Sequence, residues 1–306
     1  QAANKFATRA MLKGLENPGC IDAAAQHYAK ALAPTLTDAS LEDAYKAELL
    51  RLPSQSDIAR EKRNDVDPSA IDQVHRTFAR ATASAIGTVI EAIYANTSTT
   101  VPFSPDAKSA GRRALRNTAL TLLASRGSDA DLSRLNAHYT GAGNMTEAAH
   151  ALVILAHHDI PERSKALQHF FDRWHDDHLV IDTWFAAQAQ SSLPGTLDTV
   201  RWLTTHDLFK ITTPNKVRAL IGTFALNNPS QFNRDDGAGY DFVAAKVLEI
   251  DSKNPQVAAR LLGSFRSYKF LEPKRRALAT RALQTVAACD TISRDVREIV
   301  LRMLDD

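Results

Sequence analysis

The sequence has little cysteine and no long apolar run, and each absence excludes a class of protein. Its 306 residues include two cysteines, Cys20 and Cys289, which lie far apart. Such a pair cannot form a disulfide framework, and so few cysteines are typical of a reducing compartment. No apolar run has the length that crosses a bilayer, and the N-terminus lacks a charged segment followed by an apolar one. We therefore expect a cytoplasmic protein that makes no contact with a membrane.

An excess of charge of either sign is also missing. The chain carries 37 Lys and Arg against 35 Asp and Glu, a formal net charge of +2. Proteins dedicated to nucleic-acid binding usually show a strong basic excess, so this balance argues against a nucleic-acid partner. The content of 44% hydrophobic and 24% charged residues is ordinary for a globular chain that buries a sizeable core.

Motifs that carry hydrolytic chemistry are absent from the sequence. The pattern His-Glu-x-x-His, which places two zinc ligands on one helix face, does not occur, and neither does Gly-x-Ser-x-Gly. His175 and His178 are three residues apart, but no further ligand is evident, and we interpret them as a polar helix end. Taken alone, the residues predict a non-catalytic helical module.

Alternating strand patterns are nearly absent, and helical periodicity dominates. Residues 68–95 predict one long helix that Asp67 caps and Pro68 begins. Its apolar positions recur every three or four residues and predict one buried stripe: Ile71, Val74, Phe78, Ala81, Ala85, Val89 and Ile93. Residues 108–126 predict a second helix, which Gly127 ends.

Shorter helices joined by short polar turns follow residue 128. They are predicted at 129–139, 145–157, 161–175, 179–190, 196–205, 214–226, 239–250, 255–266, 273–287 and 293–304. Antiparallel helix pairs of about 35 to 45 residues are typical of helical solenoids, in which stacked pairs bury a continuous core. We therefore predict an all-α fold, a superhelical array of antiparallel helix pairs of the ARM/HEAT type. The predicted domain count is one, 1–306, with an irregular helical region at 1–100 and the helical repeats at 101–306.

The stretch from residue 228 to 260 combines two helix starts with a glycine turn. Asn228 and Asn254 each precede a proline, so each is predicted to cap the helix that follows. Gly237 and Gly239 accept backbone angles that other residues avoid, which predicts a sharp bend between the two starts.

Eight segments carry a resemblance to a known family. They are LPSQSDIA at 52–59, VDPSAIDQVHRTF at 66–78, GRRALRNTAL at 111–120, NMTEA at 144–148, DRWHDDHLVIDTWFAAQA at 172–189, TPNKVRALIGTFALNNPSQFNRDDGAGYDF at 213–242, NPQVAARLL at 254–262 and KRRALATRAL at 274–283. In this order, the segments resemble the C-terminal helical domain of the bacterial aminopeptidase N family. The members of that family are zinc exopeptidases. The resemblance spans nearly the whole chain.

The resemblance implies that the chemistry lies outside this chain. In the family, the zinc and the Gly-x-Met-Glu-Asn loop belong to a separate catalytic domain that precedes the helical one. The chain begins with Gln1, and we interpret it as a fragment that is inactive alone and binds no zinc. The implied partners are the catalytic and N-terminal domains of the same polypeptide and the peptide substrates. The implied role is to cap the active-site cavity and gate substrate access.

The resemblance also assigns three substrate-binding residues. Gln256, in NPQVAAR, corresponds to a residue that lines the pocket for the first side chain of the substrate. Arg260, at the end of that segment, and Arg218, in NKVRALIG, correspond to arginines near the far end of the bound peptide. An arginine fork pairs well with a peptide carboxylate, and residues four apart share a helix face.

A second hypothesis remains open at this point. A helical solenoid can also be a free-standing scaffold that binds a protein partner on its concave face. A preceding segment of several hundred residues with His-Glu-x-x-His would favour the aminopeptidase, and a start codon just ahead of Gln1 would favour the scaffold.

Overall fold

The computed structural model describes residues 2–98 and 102–305, and helices, most of them α-helices, account for its regular structure. Strands are absent from these residues apart from one isolated parallel bridge between Val66 and Leu271. The all-α prediction is therefore confirmed. The chain divides into two compact units: the first comprises residues 1–62 and 70–155, and the second comprises residues 63–69 and 156–306.

The first unit contains nine helices in its described residues. They are α1 (Ala2–Glu16), α2 (Ile21–Thr37), α3 (Asp43–Leu50), α4 (Gln55–Lys62), α5 (Pro68–Ala85), α6 (Gly87–Asn96), α7 (Ala107–Ser125), α8 (Asp129–Thr140) and α9 (Met145–Ala156), the ends of α5 and α9 crossing the unit boundary by one or two residues. Helix α1 packs against α2 and α4, while α7 packs against α3 and α6. Fully buried side chains such as Met11, Phe78 and Leu120 form its core.

The predicted single helix at 68–95 is wrong, because the chain interrupts it at Ile86, whose φ of −111° and ψ of 24° are not helical. Beyond Phe78 the buried positions of this stretch are Ala79, Thr82, Ala83, Ile86 and Ile90, whereas Ala85 is exposed. Buried positions therefore recur every four residues beyond Phe78. The predicted stripe, which passes through Ala81 and Ala85, does not coincide with them. Gly87 follows the break, and a side-chain carbon at this position would lie 2.9 Å from Arg126 Nη1, the flexible end of that side chain.

The predicted end of the following helix is confirmed. Helix α7 begins after Asp106, whose carboxylate accepts a hydrogen bond from the Ser109 amide at 2.9 Å. It ends at Ser125, and Gly127 then adopts a positive φ of 71°, which a helix-terminating glycine reaches without steric cost.

The second unit contains the later helices. They are α10 (Pro161–Trp174), α11 (Val180–Ala189), α12 (Thr196–Leu203), α13 (Pro214–Val217), α14 (Thr223–Asn227), α15 (Pro229–Phe232), α16 (Ala238–Asp251), α17 (Pro255–Leu262), α18 (Pro273–Ala287) and α19 (Arg294–Asp305). A π turn, Arg218–Gly222, joins α13 to α14, so that the predicted helix at 214–226 is present in a modified form. The predicted helix at 255–266 ends in a 3₁₀ turn, Gly263–Phe265.

The glycine bend ahead of α16 is present as the sequence predicts. Gly237 has a φ of 78°, in the left-handed region. A side-chain carbon at Gly239 would lie 2.2 Å from the Phe232 carbonyl oxygen, so only glycine lets the two backbones approach this closely. The bend therefore turns the chain from α15 directly into α16.

The two Asn-Pro helix starts differ. Asn254 caps α17, because its Oδ1 accepts a hydrogen bond from the Val257 amide at 3.2 Å. Asn228 does not cap α15, and the prediction for it is wrong. Its buried Nδ2 instead donates to the carbonyl oxygens of Ala189 at 3.0 Å and Ser191 at 2.7 Å. The side chain thus connects α15 to the end of α11.

A buried arginine connects residues 63–69 to α18 within the second unit. Arg275 is 5% exposed, and its guanidinium contacts Asp67 Oδ1 at 3.0 Å and Ser69 Oγ at 2.7 Å. Its Nε donates to the Asn233 carbonyl oxygen at 2.6 Å. Asp67 also caps α5 as predicted, since its Oδ1 accepts from the Ser69 amide at 2.9 Å.

Candidate functional site

Helix α17 presents two of the three predicted site residues to solvent. Gln256 and Arg260 are exposed and lie one helical turn apart, while Ala258, Leu261 and Leu262 on the same helix are buried. This division follows from the sequence, because apolar residues at helical spacing occupy one face and leave the polar ones on the other.

Arg260 is a cation on this surface that has no charged partner in the described part of the chain. Among the described residues, nothing forms an ion pair or a side-chain hydrogen bond with its guanidinium. Gln256 borders a shallow depression of about 340 Å³ that Ala259 lines together with Asp295, Glu298 and Ile299 of α19. The two side chains therefore have donors available for a ligand.

The third predicted residue, Arg218, lies on a different helix and is also exposed. It opens the π turn, and its carbonyl oxygen accepts hydrogen bonds from the Thr223 amide and, at 3.3 Å, from the Thr223 hydroxyl. Its Nη2 donates to the side-chain oxygen of Asn215, one turn earlier. π turns are rare in proteins, and those that occur often lie at functional sites.

The turn before Arg218 is fixed by a buried lysine. Lys216 is 5% exposed, and its Nζ donates to Asp182 Oδ1 at 2.6 Å and to the His178 carbonyl oxygen at 2.8 Å. The ammonium also lies 5.7 Å from the centre of the Phe185 ring. The backbone that carries Arg218 is therefore attached to α11 by an ion pair.

Two of the three predicted residues lie on one helix, and the third lies on another element. Gln256 and Arg260 share a face of α17, but no hydrogen bond or ion pair within residues 2–98 and 102–305 links either of them to Arg218. Sequence reasoning did not identify Asn215 or Lys216 as neighbours of Arg218. The sequence contains no signal for a π turn, and a lysine in a helical run is normally assigned to solvent.

No group of three or more His, Cys, Asp or Glu side chains within the described part of the chain has positions that could hold a metal ion. His175 Nε2 lies 3.5 Å from Asp176 Oδ1, and its Nδ1 contacts backbone carbonyl oxygens of α10. The described residues therefore do not fit a zinc centre.

The first unit contains a buried histidine with a strongly shifted pKa. His138 Nδ1 lies 3.0 Å from the Tyr94 hydroxyl, and its Nε2 is buried without a hydrogen-bond partner in the described residues. Burial, followed by the charge of Arg116, lowers the pKa of His138 to about 4. The ring is therefore neutral at pH 7.

The helices of the described residues differ from membrane-spanning helices. None of them combines the length and the apolar character that a membrane span requires.

Comparisons with known proteins connect the chain to aminopeptidases. It is 37% identical over 283 residues to aminopeptidase N of Caulobacter vibrioides, covering 91% of this chain and 32% of that protein. It is 34% identical over 278 residues to aminopeptidase N of Escherichia coli, with the same two coverages. The chain thus spans about a third of the length of these curated relatives.

A solved structure gives the same result in three dimensions. The crystal structure of Legionella pneumophila aminopeptidase A in complex with aspartic acid matches with a TM-score of 0.85 and 27% identity. The match covers 99% of this chain and 36% of that one. The helical arrangement is therefore shared with part of a known aminopeptidase.

The family assignment rests on nearly the whole chain. A domain family described as a domain of unknown function with ARM repeats (DUF3458_C) matches residues 1–305. Together with the relatives, this match confirms the resemblance to aminopeptidase N that the ordered segments indicate. The chain belongs to the DUF3458_C family of ARM-repeat domains.

Proposed function

We propose that this chain is the non-catalytic helical domain of a zinc-dependent aminopeptidase that removes N-terminal amino acids from peptides. The observation that carries the proposal is the similarity of 91% of the chain to about a third of two proteins named aminopeptidase N. In this proposal the catalytic zinc belongs to another part of the polypeptide. The domain caps the active-site cavity, limits substrate access and works in the cytoplasm.

Two partners follow from the proposal. The first is the remainder of the same polypeptide, with its catalytic and N-terminal domains. The second is the peptide substrate, which meets the domain through exposed polar side chains. In support, a helical array presents a continuous surface, and it can form one wall of a cavity without supplying any reacting group.

Gln256, Arg260 and Arg218 have separate roles in this proposal. Gln256 contacts the first side chain of the peptide, and the two arginines bind its far end through the carboxylate or the carbonyl oxygens. Their exposure supports these roles, and so does the absence of an ion pair at Arg260 among the described residues. A guanidinium that is not already neutralised binds a carboxylate through two parallel hydrogen bonds.

The test is the change Arg260→Ala in the full-length protein that contains this chain. We expect KM for tetrapeptides to rise about tenfold, because a charge-assisted hydrogen bond is lost. Kinetic constants for the single-residue substrate alanine p-nitroanilide should not change, since that molecule ends before Arg260. Arg281→Ala is the matched control, an exposed arginine of α18 with no ion pair in the described residues.

Two results would contradict the proposal. Equal effects of Arg260→Ala on both substrate classes would remove the assigned role at the far end of the peptide. Turnover of alanine p-nitroanilide by the isolated chain with added zinc, at the rate of the full-length protein, would show that the chemistry does not lie elsewhere.

A further inference from the structure

The helix start that carries Arg218 is exposed, yet side-chain contacts of Lys216 fix its position. Lys216 is buried, and its ammonium has two acceptors, the Asp182 carboxylate and the His178 carbonyl. A buried ammonium is stable only when it is paired and hydrogen-bonded, so this arrangement fixes the position of the turn. The backbone two residues before Arg218 therefore has little freedom to move.

The π turn adds a second constraint on the same residue. One extra residue in the turn Arg218–Gly222 changes the direction in which the following side chains leave the helix. Thr223 compensates, because its amide and hydroxyl both donate to the Arg218 carbonyl oxygen. Contacts of Lys216, before Arg218, and of Thr223, after it, therefore both fix the Arg218 backbone.

The Arg218 side chain has one partner among the described residues, and that partner is uncharged. Asn215 Oδ1 accepts a hydrogen bond from Arg218 Nη2. An amide oxygen orients a guanidinium without neutralising it, whereas a carboxylate at the same place would form an ion pair. The positive charge of Arg218 therefore remains available to an external anion.

From these contacts we propose that Asn215 is a positioning residue for peptide binding. It holds the Arg218 guanidinium in one orientation toward the terminal carboxylate of the substrate and leaves the charge uncompensated. The inference rests on the proposed function, because it requires that Arg218 contacts the peptide. Asn215 itself is exposed and carries no core packing, so its replacement leaves the fold intact.

The experiment is a double-mutant cycle in the full-length protein. The variants are Asn215→Ala, Asn215→Asp, Arg218→Ala and the double alanine variant, each checked by its Tm. The substrates are Ala-Ala-Ala-Ala with a free carboxylate, the same peptide amidated at its C-terminus, and alanine p-nitroanilide. The cycle separates coupling between the two side chains from independent effects.

Asn215→Ala should raise KM for the free tetrapeptide about three- to tenfold and leave kcat unchanged. The amidated peptide should be less affected, and alanine p-nitroanilide not at all. The double variant should be no worse than Arg218→Ala, since the role of Asn215 acts through Arg218. Asn215→Asp should raise KM for the free peptide more than Asn215→Ala does, because the new carboxylate neutralises Arg218 and repels the substrate.

The outcomes distinguish this inference from the proposed function. If Arg218→Ala raises KM for the free peptide while Asn215→Ala does not, or if the two effects add, the positioning role is refuted and peptide binding by Arg218 stands. If Arg218→Ala itself leaves every substrate unchanged, the proposed role of Arg218 is refuted, and the role of Asn215 with it.

Discussion

Two arginines, one from each unit, have opposite surroundings. In the first unit, the Arg126 guanidinium lies 2.6 Å from Glu91 Oε1 and 2.6 Å from Asp131 Oδ1, so its charge is compensated internally. In the second unit, Arg260 is exposed and forms no ion pair among the described residues. The difference indicates that arginines of the first kind hold helices together, whereas those of the second kind remain available to a ligand.

Asp131 provides the sharpest test of this comparison. The residue is fully buried and accepts hydrogen bonds from Arg126, Arg134 and Ser128. Burial acts to raise its pKa, but the hydrogen bonds from Arg126 and Ser128 outweigh burial and lower it. Asp131→Ala should reduce the free energy of unfolding by about 3 kcal/mol, because it leaves two partly buried guanidinium groups without this acceptor.

Urea-induced unfolding monitored by circular dichroism measures this loss. Asp131→Asn is the matched control, since it keeps the shape of the side chain and removes the charge, and we expect it to fall between the wild type and the alanine variant. A change below about 0.5 kcal/mol, the size typical of a surface substitution, would break the comparison.

His138 makes the same unit sensitive to pH. Its pKa is about 4 in the folded chain, against an ordinary value of 6.5, so the folded state binds fewer protons than the unfolded state between these two values. Its contribution to stability is therefore fully present above pH 6.5 and is lost as the pH falls through about 4. The size of the loss is roughly 3 kcal/mol.

Unfolding in urea at pH 7 and at pH 4.5 measures the effect for the wild type and for His138→Gln. We expect the variant to lose less stability on acidification than the wild type. Some pH dependence should remain in the variant, because burial also lowers the pKa values of His75, His150 and His158. Equal pH dependence in the two proteins would contradict the assignment to His138.

Arg260→Ala should have the smallest effect on stability. The side chain is exposed and has no partner in the described residues, so the free energy of unfolding should change by less than about 0.5 kcal/mol. The same urea titration tests this expectation. A loss as large as that of Asp131→Ala would show that Arg260 is structural and would weaken its assignment to the substrate.

The sequence predicts the helices after residue 106 closely, and the reason is local. Prolines such as Pro161 and Pro273 occupy the first helical position, and Gly127 and Gly237 adopt the positive φ that their positions require. These signals act through neighbours in sequence. They therefore do not depend on the tertiary structure.

The prediction errors arise where contacts with residues distant in sequence determine the local structure. Asn228 has the sequence of a cap, yet carbonyl oxygens at positions 189 and 191 attract its amide. The apolar periodicity predicts Ala85 as buried, whereas the structure buries the next residue, Ile86, and interrupts the helix there. The three proposed site residues come from the resemblance alone, and the surroundings of Arg218 become visible only once α11 packs beside it.

The short stretch at 63–69 has a practical consequence for anyone dividing this polypeptide. It belongs to the second unit although the residues on both sides of it belong to the first. A recombinant piece that starts at residue 156 would retain Arg275 but lose Asp67 and Ser69, exposing a cation that the intact chain shields. Limited proteolysis or truncation between the two units therefore cannot yield a complete C-terminal half.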